Sequence, residues 1–350
     1  MNKLRIAIVG FGKMGRIRSG TIDARDDCEV VAVYDPIVDL EPERAKGLKT
    51  SANWKALLDD SGVDAVIVSS TNDVIPEVAT AALAKGLHVF CEKPPGRSVA
   101  DIEMIIAAAS KRPDLKLKFG FNHRYHEVVE NARKLVSGGR MGDILWMRGV
   151  YGKAGGKDFD RNWRNDPEKS GGGILLDQGI HMLDLFHDFC GEFDEVKSFI
   201  GRQYWNVPVE DNAFAMMRNA RGQVATIHSS ATQWRHMFRL EIYLEKGFLA
   251  LNGILSSTMT YGRESLTVAR THFDEEGYPS PNPEETISYF EEDRSWEKEM
   301  EEFIRCIKND QPINIGTPTH ARAAMRAVER IYQGDPSLSD AQRPEEAAKK

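Results

Sequence analysis

Cysteine is scarce. The 350 residues carry 4, Cys28, Cys91, Cys190 and Cys306, far apart and without a C-x-x-C pair. That spacing excludes a zinc ribbon and a disulfide-stapled scaffold, and leaves four reduced thiols as the expectation. Long apolar runs are missing too: no stretch approaches the roughly 18 apolar residues that a membrane span needs. Leu4–Val9 is too short for the core of a secretion signal, and no small-residue cleavage site follows it. Positive charge is not in excess either. Against 46 Lys and Arg stand 53 Asp and Glu, a formal charge of −7 with no dense basic stripe, which argues against nucleic acid as a partner. What is present, 41% hydrophobic and 28% charged residues, suits about two globular domains. A cytoplasmic enzyme that binds neither membrane nor nucleic acid is the expectation.

Residues 1–122 alternate short apolar runs with helical patterns, the form of successive βαβ units around a parallel sheet. The runs Leu4–Val9, Glu29–Tyr34, Ala65–Ser69, His88–Glu92 and Leu117–Phe121 are nearly unbroken, as strands buried on both faces require. A capping box, Ser98 to Asp101, opens the clearest helix. Beyond Phe121 a helix over Val128–Val136 and a strand over Ile144–Tyr151 begin a second domain. Its later text, with strands at Gln223–Ser229 and Phe238–Leu244, lacks βαβ alternation and predicts an α+β domain on a largely antiparallel sheet. Two helices are expected to close that domain, one carrying Trp296, Met300, Phe303, Ile304 and Ile307 on one face, the other starting at Thr317-Pro318. The expected division is therefore 1–122, 123–335 and a polar tail 336–350.

The first strand runs into Gly10-Phe11-Gly12-Lys13-Met14-Gly15, a G-x-G-x-x-G where a strand turns into a helix. Gly10 permits the tight turn, Gly12 lets a pyrophosphate approach the backbone, and Gly15 lets helix and strand pack closely. Alone, the hexapeptide reads equally well as an ordinary glycine turn. Asp35, at the end of the second strand, decides for a dinucleotide site of the Rossmann kind, because its carboxylate can accept the ribose hydroxyls. That acid repels a 2′-phosphate, so NAD is favoured over NADP, although Arg44 lies near in sequence. Ser70-Thr71-Asn72 and Glu92-Lys93 end further strands on the same sheet edge. The first group is either a helix cap or a cofactor contact; Lys93 is either a solvated loop lysine or a functional group at the nicotinamide end.

A second informative stretch is Ser170-Gly-Gly-Gly-Ile-Leu-Leu-Asp177-Gln-Gly-Ile-His181-Met-Leu-Asp184. In a helix Asp177, His181 and Asp184 share one face, and a carboxylate one turn from an imidazole can hold its tautomer for general-base work. A capped amphipathic helix with a surface Asp–His pair has the same spacing. The glycines before it would let a ligand approach the backbone.

Together, Gly10 to Gly15, Cys91-Glu92-Lys93-Pro94, Gly120-Phe121-Asn-His-Arg124-Tyr125 and Gly171-Gly-Gly-x-Leu-x-Asp177-x-Gly179-x-His181-x-x-Asp184 resemble, in order, the signatures of the Gfo/Idh/MocA oxidoreductases. The resemblance implies a Rossmann domain, then an α/β domain whose open sheet often forms an oligomer interface, with the active site in the cleft between them. It implies Lys93, Asp177 and His181 as catalytic residues. His181 would take a hydroxyl proton while hydride passes to the nicotinamide, Lys93 would bind the same oxygen, and Asp177 would bind a substrate hydroxyl or orient the imidazole. Whether Lys93 or His181 is the final proton acceptor stays open. One departure stands out: the family's Thr-Pro-Asn-x-x-His reads Thr71-Asn72-Asp73-Val-Ile-Pro76 here.

The implied activity is an NAD-dependent dehydrogenase acting on a secondary hydroxyl of a sugar, cyclitol or nucleotide-linked sugar, in a homo-oligomer (dimer or tetramer). The alternatives are a glycoside hydrolase that uses NAD transiently and a non-catalytic NAD or sugar sensor. Trp163 and Arg164, in a loop rich in both charges, could stack a sugar face and bind a phosphate, or be a tucked Trp in a solvated loop. Arg124 and Tyr125 are further pocket candidates. His123 and His126 lack a third ligand, so no metal is assigned. Glu297, Glu299, Glu301 and Glu302 read as a solvated helix face.

Overall fold

The computed structural model describes residues 3–60, 62–256 and 259–338. The chain divides into two compact units. One comprises residues up to Asn122 with Glu168–Gly171 and Trp296–Met325; the other comprises His123–Pro167, Gly172–Ser295 and the chain from Arg326.

In the first unit β1 (Leu4–Val9), β2 (Cys28–Tyr34), β3 (Lys49–Thr50), β4 (Ala65–Val68), β5 (His88–Glu92) and β6 (Leu117–Gly120) form one sheet. Its order is β3-β2-β1-β4-β5-β6 and every pair is parallel. Five of the six strands lie within a residue of the apolar runs; β3, only two residues long, has no run to announce it. Such an order reverses direction between β1 and β4, and ligands gather outside the carboxyl ends at that switch point. The Ser98 hydroxyl accepts the Asp101 N–H at 3.3 Å and starts the helix Val99–Ser110, as the capping box requires.

The helix Ser295–Lys308 corrects the expected division. From Trp296 on it belongs to the first unit, not to a 123–335 domain. Its Met300, Phe303 and Ile304 join Ile6, Ile8 and Phe90 in one apolar cluster, with Phe303 edge-on to Phe90 at 5.6 Å. Of its acids, Glu297 and Glu301 are exposed as expected, but Glu299 and Glu302 do not belong to a solvated face. Glu299 is fully buried and accepts Arg18 Nη2 at 2.7 Å, and Glu302 accepts Lys118 Nζ at 2.8 Å. Arg18 also donates to Glu92 at 2.6 Å and lies over the rings of Phe90 and Trp296. Periodicity marks which face of a helix is apolar, but not which sheet that face will cover. Burial pushes the Glu299 carboxyl up to about 7, against the pull of Arg18 and Lys118.

In the second unit β7 (Ile144–Ala154), β8 (Glu195–Gly201), β9 (Asn212–Arg218), β10 (Val224–Ser230), β11 (Thr232–Leu244), β12 (Gly247–Asn252), β13 (Glu264–Arg270) and β14 (Glu285–Phe290) form one sheet. The order is β14-β13-β12-β11-β7-β10-β9-β8; only β7 and β10 pair parallel. The helix Ile180–Cys190 packs on β7 at Gly149, where a Cβ would lie 2.7 Å from Met182. Alternating residues such as Phe199 and Met216 stay exposed, the pattern of a sheet covered on one face.

Cys28, Cys91, Cys190 and Cys306 are free and buried. Among the described residues no helix is long and apolar enough to cross a membrane. The expected tail 336–350 lies, from residue 339, outside the described residues.

Candidate active site

The glycine loop takes the form its three glycines dictate. Gly10 has φ +92°, and a Cβ there would lie 2.5 Å from the Ser69 carbonyl oxygen; a Cβ on Gly15 would lie 2.2 Å from that of Gly10. Gly12 is different: nothing lies within 4 Å of its missing Cβ. It is the N-cap of the helix Lys13–Asp23, whose first turn has neither a side-chain cap nor an acid. A dinucleotide's pyrophosphate fits this open cradle, with helix N–H groups unopposed by negative charge. Lys13 is exposed and Met14 half-buried beside it. The Phe11 side chain, by contrast, is buried in the apolar cluster, and its N–H is bound to Asp35 at 2.8 Å, so Phe11 is a scaffold residue.

Half-buried Asp35 also accepts the N–H groups of Ile37 and Val38, both at 2.9 Å. That leaves roughly one of about four carboxylate lone pairs for a ribose hydroxyl. Arg44 is engaged by Glu41 and Thr50. Beyond β4, Ser70 and Thr71 remain half-exposed. Asn72 is buried and donates to the Ser170 carbonyl at 2.7 Å, so it is neither helix cap nor cofactor contact. The N-cap of the helix Ile75–Ala84 is Val74, and Pro76 takes a first-turn position where no N–H is missed. Glu92 is likewise buried against Arg18 and is not a cofactor ligand, whereas Lys93, directly after β5, is half-exposed.

In the second unit the stretch around Asp177 is a π-turn over Leu175–Gly179 that passes into the α-helix Ile180–Cys190. The expected three-residue face is thereby broken. Asp177 is drawn between two cations, Lys153 Nζ and Arg164 Nε, each 3.1 Å from it. His181 is buried, its ring stacked on that of His123 at 3.7 Å and 15°. Asp184, fully buried, is given over to Arg124, which donates to it at 2.6 and 2.7 Å and to Asp188 at 2.9 Å. Every nitrogen of Arg124 has a protein acceptor, so it is a structural residue rather than a substrate ligand; Tyr125 is buried in the same turn. Trp163 lies 4.6 Å from the Arg164 guanidinium and is therefore part of the Asp177 cluster.

The glycines ahead of Asp177 leave no room for a ligand, contrary to expectation. A Cβ on Gly172 would lie 2.3 Å from the Tyr332 hydroxyl, and one on Gly173 would lie 2.1 Å from the Glu210 carbonyl oxygen. Buried Glu210 accepts the N–H groups of Gly173 and Leu175 and the Tyr332 hydroxyl at 2.8, 3.0 and 2.9 Å, fixing the entry to the π-turn. Sequence reasoning missed Glu210, Tyr151, Gln178 and Tyr261, weighed His123 only as a metal ligand, and read Lys153 as one charge of a loop although it lies in β7. His123 Nε2 bonds the Tyr151 hydroxyl at 3.1 Å, and Gln178 Nε2 donates to the Tyr261 hydroxyl at 2.7 Å. Burial pushes both phenols up. The inward alternation of Tyr151 along β7 was the one available signal.

An open glycine cradle at the switch point of a 3-2-1-4-5-6 parallel sheet defines a dinucleotide-binding Rossmann protein. Comparison with known proteins is specific. Residues 4–120 match the oxidoreductase family with NAD-binding Rossmann fold, and residues 129–250 match the GFO/IDH/MocA C-terminal domain. The chain belongs to the Gfo/Idh/MocA oxidoreductases, and its first unit is their NAD-binding domain. It is 26% identical over 321 residues to myo-inositol 2-dehydrogenase of Thermotoga maritima, covering 88% of this chain and 90% of that one. With glucose-6-phosphate 3-dehydrogenase of Bacillus subtilis it shares 32% over 191 residues, 52% of each chain. The solved structure of levoglucosan dehydrogenase with NADH has the same fold, at a TM-score of 0.82 and 20% identity over 95% of this chain and 97% of that one.

Proposed function

We propose that this protein is an NAD-dependent dehydrogenase that oxidises a secondary hydroxyl of a sugar, cyclitol or nucleotide-linked sugar to a ketone, or runs the reverse. The observation that carries the reading is the Asp177 cluster: a partly exposed carboxylate oriented by Lys153 and Arg164, one turn before the His181 imidazole. Acceptors and donors in that pattern suit a vicinal polyol. The relatives named above, dehydrogenases of inositol and sugars, support the same class.

When bound, NAD supplies the hydride acceptor. Within the chain's own machinery, His181 takes the proton of the reacting hydroxyl, as imidazole can near neutral pH, and Lys93 stabilises the charge developing on that oxygen. Asp177 accepts a neighbouring hydroxyl and so fixes which carbon reacts. Asp35 favours NAD over NADP by repelling a 2′-phosphate, and we assign Ser70 and Thr71, with the glycine loop, to cofactor contact. The exposed sheet face around Phe199 and Met216 supports a homo-oligomer, a dimer or tetramer, which sedimentation equilibrium would test.

The deciding experiment is NADH absorbance with NAD and a panel of free sugars, inositols and nucleotide sugars. Lys93→Ala and His181→Ala are expected to keep NAD binding and lose about 10²-fold or more in turnover. Wild-type rates in both variants overturn the assignment. Sugar release without net NADH points to the NAD-assisted hydrolase instead, and NAD binding with no turnover points to a sensor.

A further inference from the structure

The cluster around Asp177 continues into an aromatic platform. The turn that supplies Arg164 to Asp177 also holds Asn165, whose side chain donates to the Phe159 carbonyl. Phe159 lies 4.7 Å from the Trp205 ring, and Trp205 is followed by Tyr204 at 5.1 Å and Trp234 at 6.4 Å, with Tyr204 and Trp234 themselves 5.0 Å apart. Tyr204 and Trp234 are 64% and 61% exposed, which is unusual for rings so firmly mounted. Asp211, fully buried, accepts the N–H groups of Gln203, Tyr204 and Trp205 at 2.8, 2.8 and 2.9 Å, and Trp205 Nε1 donates to the Ala231 carbonyl at 2.9 Å. Trp234 is thrown outward by the irregularity of β11 between Thr232 and Met237, opposite the end of β7. Bulges of this kind re-aim side chains beside functional sites.

Two features tie the platform to the sugar site rather than to a separate surface. Trp205 packs on Gly155, where a Cβ would lie 2.4 Å from its ring, and Gly155 is two residues beyond Lys153, directly after the end of β7. Two residues of extended chain span about 7 Å, comparable with the repeat of a glycan chain. The polarised C–H groups of a pyranose face are attracted to the electron-rich faces of aromatic rings. We propose that Tyr204, Trp205 and Trp234 form a second subsite that stacks a further glycosyl ring, so that the substrate is a glycoside or disaccharide rather than a free monosaccharide. This deepens the dehydrogenase reading and rests on it for the placing of the first ring.

The test is a fluorescence titration of the NAD-loaded protein with α- and β-linked disaccharides of glucose and galactose, each against its matching methyl pyranoside, with NADH formation followed in parallel. At least one disaccharide is expected to bind about tenfold or more tighter than its one-ring control, and Trp234→Ala and Tyr204→Ala are each expected to bring that ratio toward one. Absence of any two-ring advantage, or an advantage that survives both substitutions, overturns the subsite. A fall in oligomeric mass in either variant also overturns it, by assigning the rings to self-association. Platform-dependent binding without NADH would leave the subsite standing and remove the dehydrogenase, whereas turnover indifferent to ring number would do the reverse.

Discussion

In the first unit Arg18 lies between Glu92 and Glu299, and Lys118 lies against Glu302, with none of these side chains more than 8% exposed. In the second, Asp177 lies between Lys153 and Arg164, and the three retain 17%, 27% and 38% exposure. The ingredients are the same and the uses are opposite. The buried cluster is closed: cations and acids match one another, no hydroxyl can enter, and the product is a helix fastened to a sheet. In the open cluster a ligand hydroxyl can take the place of water. Glu92 and Arg124 sit in motifs that look catalytic, yet both belong to closed networks. Adjacency to a motif is a weaker guide than the number of partners a charge already has.

The comparison breaks most easily at Arg18. Arg18→Met leaves Glu92 and Glu299 buried without their cation and is expected to cost about 3–5 kcal/mol in urea unfolding. Lys153→Met, at the open cluster, is expected to cost less than about 1 kcal/mol. Equal losses would mean the two clusters are not different in kind. Next comes pH. The Glu299 carboxyl is raised to about 7 inside the fold, so its stabilising contribution is complete below its ordinary value of 4.5 and is lost as pH rises through 7. With Arg18, Glu92 and Lys118 unchanged around it, the stability of the wild type relative to Glu299→Gln should fall by up to about 3 kcal/mol between pH 5 and 8. A gap independent of pH refutes the burial argument.

Asp177→Asn sharpens the other side. It should lower turnover about 10²-fold while changing unfolding free energy by no more than about 1 kcal/mol, measured on one preparation. The smallest structural effect belongs to Gly12→Ala, which places a methyl group in empty space. Stability is expected to shift by about 0.5 kcal/mol or less, while calorimetry shows NAD binding weakened about tenfold or more.

The parallel sheet was legible because strands buried on both faces must be continuous apolar runs, and β1, β2, β4, β5 and β6 are. The glycine loop was legible because each of its constraints is local. Lys93, Asp177 and His181 came from a resemblance, since spacing alone allowed a surface pair. What stayed hidden depends on partners far away in sequence. Glu299 meets Arg18, on the helix Lys13–Asp23, from the other end of the chain, Lys153 reaches Asp177 from the end of β7, and Glu210 holds a glycine run whose missing side chains are filled by protein, not ligand. The helix Ser295–Lys308 showed its apolar face but not which unit it would cover.

The π-turn at Leu175–Gly179 makes the site a matter of counting as well as chemistry. A turn widened in this way holds one residue more than an α-turn. Losing Gln178 or Gly179 would let the helix close into ordinary turns and swing Asp177 by about 100° relative to His181. Asp177 would then be present, unaltered, and facing elsewhere. For this stretch a one-residue deletion is a graver error than most replacements, and the spacing of Asp177 from His181 carries information that neither residue carries alone.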